Sequence, residues 1–200
     1  NTKSSEITRT SSDEYLYNKA GFLFDNEWKT SQPMFFPEQG LFAHLSYKIN
    51  GHIFQSNFNY QRLLFDFRKY QEIDNLVLAA RFEIGGISSA EKDGFVPVED
   101  RFYSGGSMSN RGWSRSLLGP KVKGNPIGGR SLLETSLELR VPIYKRLSGT
   151  IFTDAGNVWK KSYSYHLNEL RYAAGIGLRY KTPIGPIRID LAKPIQDKKK

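Results

Sequence analysis

An all-β, antiparallel chain of about eight strands is the architecture that the sequence predicts. Three observations carry it: side chains alternate between apolar and polar with a period of two, the connections switch between short and long, and the composition is rich in rings but short of aliphatic core. Of the 200 residues only 38% are hydrophobic, below the roughly 45–50% of ordinary globular chains. Yet 13 Phe, 11 Tyr and 3 Trp are too many for a disordered polyelectrolyte. The sequence has no cysteine, which excludes a disulfide framework, a thiolate metal site and a cysteine nucleophile, and leaves the redox compartment open. No window approaches ~18 consecutive apolar residues, so no transmembrane helix is expected. The opening residues, Asn-Thr-Lys-Ser-Ser-Glu, show neither an initiator Met nor an apolar signal core, as expected of a mature chain or an excerpt.

Taken in order, Gly21–Trp28 is a weak first strand. In Leu41–Ile49, the residues Leu41, Ala43, Leu45, Tyr47 and Ile49 share one face, against His44, Ser46 and Lys48. Phe58–Lys69 alternates weakly. Leu76–Gly85 sets Leu76, Leu78, Ala80, Phe82 and Ile84 against Arg81 and Glu83, and Leu133–Val141 sets its odd-numbered residues against Glu134, Ser136, Glu138 and Arg140. Gly149–Trp159 is weaker. Leu170–Tyr180 places Tyr172, Ala174, Ile176 and Leu178 against Arg171, Gly175, Gly177 and Arg179, and Pro186–Leu191 opposes Ile187 and Ile189 to Arg188 and Asp190. Period two puts successive side chains on opposite faces of a strand. Most segments are near the ~9–11 residues with which a tilted strand crosses a bilayer.

Short turns are expected at Gln71–Asp74, Pro142–Arg146 and Thr182–Gly185, and an intermediate one with two prolines at Ser31–Gly40. Longer polar connections are Asn50–Asn57, Lys160–Asn168 and, by far the longest, Gly86–Gly128. Membrane barrels have this asymmetry, with tight turns at one end and long loops at the other. A loop of the Gly86–Gly128 length without structure of its own is uncommon, and suggests function. Alternation alone does not separate a soluble barrel from a membrane barrel, because only the direction of the apolar face differs. Two details favour the membrane. Charges of both signs (Arg81, Glu83, Glu134, Glu138, Arg140) lie mid-strand on one face while the opposite face carries almost none, and rings (Trp28, Tyr47, Tyr144, Trp159, Tyr180) gather near strand ends, where an aromatic girdle would lie.

Three segments, in this order, carry a resemblance: Arg101–Trp113 (RFYSGGSMSNRGW), Phe152–Trp159 (FTDAGNVW) and Gly175–Leu191 (GIGLRYKTPIGPIRIDL). The set resembles the BamA/TamA superfamily of outer-membrane assembly and translocation barrels. The glycine-rich stretch is similar to the Arg-Gly-aromatic motif of that family's sixth external loop, here Gly105, Gly106, Arg111, Gly112 and Trp113. The other two look like strand regions near the end of its barrel, and Pro37–Gly40 (PEQG) is similar to an earlier Pro-x-x-Gly turn. The resemblance implies a barrel of about sixteen strands. It makes 1–200 the C-terminal half of that barrel, without its closing strand and without the preceding POTRA domains: four strands over 21–85, the motif-bearing loop over 86–128 and four strands over 129–191, with no second domain. It also implies that the loop folds into the lumen and that Arg111 pairs there with Glu138 and Asp154.

The residues themselves argue against an enzyme. The glycines are not followed by Gly-Lys-Ser/Thr, so they form no phosphate-binding loop. His44, His52 and His166 are scattered without ligand spacing, and no metal or other cofactor is expected. Ser104–Ser109 and Ser114–Ser116 contain no Gly-x-Ser-x-Gly elbow. The 29 basic against 20 acidic residues give +9, but Lys121, Lys123, Lys145, Arg146, Lys160, Lys161, Lys193 and Lys198–Lys200 are dispersed over both ends of the strands. Nucleic-acid binding would need them on one face with aromatics between. The resemblance implies instead a Gram-negative outer membrane, contact with its lipids or lipopolysaccharide, unfolded outer-membrane clients, and accessory periplasmic proteins reached through POTRA domains. Two other readings stay open: a two-partner-secretion pore or the barrel of a patatin-like fusion, and a soluble basic β-protein with a binding role.

Overall fold

The computed structural model describes residues 18–51, 56–90 and 94–195. His52 and Lys198–Lys200 lie outside them. Ten strands follow in chain order: β1 (Gly21–Lys29), β2 (Gly40–Asn50), β3 (Tyr60–Ile73), β4 (Leu76–Ser89), β5 (Lys121–Val122), β6 (Asn125–Pro126), β7 (Ser131–Tyr144), β8 (Leu147–Trp159), β9 (Arg171–Thr182) and β10 (Gly185–Pro194). Eight of them form one antiparallel sheet in the order β1-β2-β3-β4-β7-β8-β9-β10, each paired with its chain neighbours. The short β5 and β6 make a separate ribbon inside the long β4–β7 loop.

The ladders run further than the apolar alternation does. Strand β3 continues to Ile73, β7 to Tyr144 and β9 to Thr182, which leaves two-residue reversals. Asp74 (φ 54°), Lys145 (φ 48°) and Gly185 (φ 132°) supply the left-handed backbone at these reversals. Cross-strand pairing joins backbone groups and needs no apolar side chain, so polar residues such as Gln71 and Glu72 stay in the ladder. Pro142 has no amide to donate, and the β7–β8 register shifts just beyond it.

Register puts the alternation on two chemically opposite faces. On one lie Phe82, Ile151 and Ile176, which are 40%, 62% and 59% exposed. On the other, Asp66, Glu134, Glu138, Asp154 and Arg179 are all buried. A globular chain does the reverse. Apolar side chains turned outward around a polar concave interior are the arrangement of a strand wall that faces lipid. Trp28, Tyr144 and Tyr180 are exposed near strand ends, and Tyr47 is half-buried, its hydroxyl donating to Gln61. Trp159 departs from the expected girdle. It is buried, its Nε1 donates to Glu169 at 2.7 Å, and Tyr165 meets its ring edge-on, so the β8–β9 connection covers it.

Both ends of the concave face are occupied. At the long-loop end Tyr60, Ile87, Val96, Phe102, Leu132 and Val158 form an apolar cluster between the strands and the loop. At the short-turn end the β1–β2 connection reaches across to β7 and β9. There Phe36 is buried beneath two cations, Arg140 at 4.8 Å and Lys181 at 4.9 Å from its ring centre. Arg140 also donates to the Pro37 carbonyl at 2.8 Å, and Lys181 pairs with Glu38.

The outward face predicts a depth-dependent cost. Ile176→Arg, midway along β9, is expected to destabilise the bilayer-inserted protein by about 2–4 kcal/mol, and Tyr180→Arg near the strand end by much less. Equilibrium unfolding in urea from lipid vesicles measures both, and equal penalties would contradict a lipid-facing wall.

Candidate functional site

The long loop is ordered by what it touches. Its first part is tied down by Asp100, which lies in a single 3-10 turn, Val98–Asp100. The carboxylate accepts from Lys48 at 2.7 Å and from the Tyr60 hydroxyl at 2.5 Å, and pairs with Lys19. Burial alone would raise this carboxyl, but the donors from Lys19, Lys48 and Tyr60 outweigh it and hold it below the usual carboxylate range. Arg62 donates to the Asp100 carbonyl at 3.1 Å and lies over the Phe102 ring. Backbone bridges between Phe102 and Gly129 and between Ser104 and Leu118 then close the base of the loop. The long loop therefore contains a helical turn, a ribbon and two bridges of its own.

Beyond these bridges the chain doubles back on itself. Gly105 (φ 102°) and Gly106 (φ 109°) both take a left-handed backbone that other residues rarely adopt. The Gly106 amide donates to the Trp113 carbonyl at 2.9 Å, and the Ser109 hydroxyl accepts from the Gly105 amide at 2.9 Å. This brings the Arg111-Gly112 pair down onto the strands. A Cβ on Gly112 would lie 2.5 Å from the Cβ of Ala173, so only glycine lets the loop sit this close to β9. Buried Asn110 fixes the approach by donating to the Arg171 carbonyl at 2.9 Å.

Arg111 then projects into the concave face with every guanidinium nitrogen occupied. Nε and Nη2 donate to the two oxygens of Asp154 at 2.9 and 2.8 Å, and the Arg111 backbone amide adds a third bond to this carboxylate at 3.0 Å. Nη1 donates to Glu138 at 2.7 Å and Nη2 to the Ser136 hydroxyl at 3.1 Å. The guanidinium also lies 3.3 Å from the centre of the Phe152 ring. A planar fork can satisfy two carboxylates and stack on a ring at once, which a lysine ammonium cannot do. Burial pulls the guanidinium downward, and Asp154 with Glu138 more than restores it, so the group stays charged.

Arg111 is one member of a wider network. Glu138 also accepts from Arg140 at 2.8 Å and from Arg179 at 3.1 Å, and Arg179 donates on to Asp190 at 2.6 Å. Ser136, Phe152, Arg179 and Asp190 join the site without having been singled out from the sequence. The alternation puts Ser136, Arg179 and Asp190 on the polar face, whereas Phe152, in the weaker Gly149–Trp159 pattern, carried no such signal. Only register shows that they converge. Trp113 makes no contact with the acids. Its ring flanks an open cavity of about 390 Å³ with Leu118, Pro120, Asn157, Trp159 and Arg171. His44, on β2, pairs with Asp25 at 3.0 Å, and His166, in the β8–β9 connection, with Ser164 at 2.9 Å.

An outward apolar wall, a polar interior and an inward-folded loop pinned by a buried arginine define an outer-membrane type of β-barrel protein. Comparison with known proteins gives the family. The Omp85 superfamily domain matches residues 3–200. The outer membrane protein assembly factor BamA of Neisseria meningitidis is 31% identical over 157 residues, which cover 62% of this chain and 19% of that protein. A SAM50-like protein of Schizosaccharomyces pombe is 32% identical over 135 residues, 60% of this chain and 27% of its own. BamA of Haemophilus ducreyi, in a crystal structure lacking POTRA domains 1–3, superposes with a TM-score of 0.76 at 24% identity, over 88% of this chain and 38% of that one. The chain belongs to the Omp85 superfamily, in which BamA and TamA fall. It spans only about a fifth to a quarter of the length of these curated relatives.

Two expectations follow from the site. Arg111→Ala leaves Asp154 and Glu138 short of their shared cation, and breaking such a buried pair typically costs about 3–5 kcal/mol. The loop should become open to protease, with Arg111→Lys intermediate, and unchanged loop protection in Arg111→Ala would contradict the lock. The Asp100 anchor has a depressed carboxyl, so its contribution is complete above the unfolded value of about 4 and is lost as pH falls through the lower folded value. Hydrogen exchange of residues 96–104 should therefore accelerate on acidification below about pH 4 in wild type, and far less so in Asp100→Asn.

Proposed function

We propose that this chain is the later half of the barrel of an outer-membrane protein assembly factor, which helps β-barrel clients insert into the outer membrane of a Gram-negative bacterium. The observation that carries the reading is the lock of Arg111 on Asp154, Glu138 and Phe152, which braces a long external loop inside the strand wall. Gly105, Gly106 and Gly112 allow that path, and Trp113 closes it through its carbonyl. The activity needs no covalent chemistry and no cofactor. A client strand adds by backbone hydrogen bonding at a weak seam between the first and last strands of the whole barrel, the recognition mode of an exposed sheet edge. The braced loop keeps the strands beside this seam in register while the seam opens.

The partners that fit this role are unfolded outer-membrane proteins as clients, lipids and lipopolysaccharide against the exposed apolar wall, and accessory periplasmic proteins bound through domains that precede the barrel. The basic residues Lys145 and Arg146 in a short turn, and Lys121 and Lys160 at the opposite end, suit contact with anionic headgroups at both surfaces. The test is reconstitution. Full-length protein in lipid vesicles is expected to speed the folding of an unfolded β-barrel client well beyond empty vesicles, followed by protease protection of the client, and Arg111→Ala should lose most of that gain. Equal rates with and without the protein overturn the reading. Passage of a soluble polypeptide into the vesicle lumen without client insertion would favour a secretion pore instead.

A further inference from the structure

The tip of the long loop is held at a second place, apart from Arg111. Arg81 on β4 donates to the Met108 carbonyl at 3.0 Å, and Arg188 on β10 donates to the Ser107 carbonyl at 2.6 Å. The Met108 side chain is 70% exposed, so burial does not hold the tip there. Strands β4 and β10 are separated in the sheet by β7, β8 and β9, so two adjacent carbonyls tie together strands that never pair.

The two grips are built alike. In each, two arginines stand directly opposite one another across a strand pair: Arg68 against Arg81 on β3–β4, and Arg179 against Arg188 on β9–β10. Like charges placed directly opposite are destabilising, so each pair needs a reason to persist. In each a carboxylate lies between them. Asp66 accepts from Arg68 at 2.6 Å and from Arg81 at 3.1 Å; Asp190 accepts from Arg179 at 2.6 Å and from Arg188 at 3.0 Å. In each, one arginine of the pair then extends past its carboxylate to a carbonyl of the loop tip. Ser109 adds a third contact by donating to Glu134 on β7, which also faces Arg81 at 3.4 Å.

We propose that Arg188 is a positioning residue that couples the loop tip to β10, so that residues 107–108 act as a crossbar between β4 and β10 and fix how far the late strands stand from the middle of the sheet. The lock at Arg111 holds the loop down; the crossbar sets the spacing of the wall. The coupling stands on the contacts alone, while its effect on client insertion rests on the assembly reading above. Nη2 of Arg188 donates both to Asp190 and to the Ser107 carbonyl, while Nη1 lies 3.5 Å from the Met108 sulfur, so one side chain holds the strand acid and the loop tip together.

The experiment uses the full-length protein in lipid vesicles, with spin labels at Phe82→Cys on β4 and Ile189→Cys on β10, both on the outward face. The distance distribution between the labels is expected to be narrow with Arg188 and clearly broadened in Arg188→Met, while protease protection of the loop around Arg111 stays intact. If Arg188→Met does not fold, Arg188→Lys carries the test, since its shorter side chain keeps the charge beside Asp190 and reaches less far toward the Ser107 carbonyl. An unchanged distribution overturns the proposal. So does broadening accompanied by equal loss of loop protection, because Arg188 would then only be part of the general lock. With broadening confirmed, client insertion is expected to slow several-fold in the variant. A narrow wild-type distribution in a protein that inserts no client would refute the assembly reading and leave the crossbar standing.

Discussion

A charged group in the concave face of a strand wall must find its counter-charge there, and most of this structure follows from that demand. The strands turn most apolar side chains outward and most charged ones inward, where isolated charges are costly. The buried carboxylates around the loop are therefore shared. Asp154 is given to Arg111 and Ser136; Glu138 to Arg111, Arg140 and Arg179; Asp190 to Arg179 and Arg188. Strands alone would leave this set incomplete. The loop supplies the arginine that completes it, so the polar face and the folded loop depend on each other.

That dependence explains why glycine appears where it does. Bringing Arg111 to Asp154 requires the loop backbone to lie almost on β9, and the contact of Gly112 with Ala173 marks how little room is left. The reversal at Gly105 and Gly106 aims the chain, Asn110 sets its depth, and the guanidinium stacks on Phe152 as it reaches the acids. Backbone freedom, close approach and charge pairing act in sequence along nine residues of chain, Gly105–Trp113.

The faces of the strands were legible in the sequence because period two is a local property. Glu138 and Asp154 could be placed on the polar face without any structure, and the family resemblance carried Arg111 to them. Strand ends were less legible, since β3 and β9 continue through polar residues that pair by backbone alone, and β7 continues through Pro142, where its register shifts. Trp159 looked like a girdle ring because the β8–β9 connection that covers it has no periodicity to announce its path. The opposition of Arg188 to Arg179 was hidden for another reason. It depends on the tight reversal at Pro183-Ile184, which sets the register of β10. Residue faces can be read one strand at a time, whereas convergence between strands cannot.

Phe36 gives the concave face a floor. Its ring lies between Arg140 and Lys181, and Pro37 and Glu38 are bound to the same two cations. A chain or hydrated ion moving lengthwise along this face would have to lift an aromatic ring off two charges and strip two carbonyl or carboxylate partners with it.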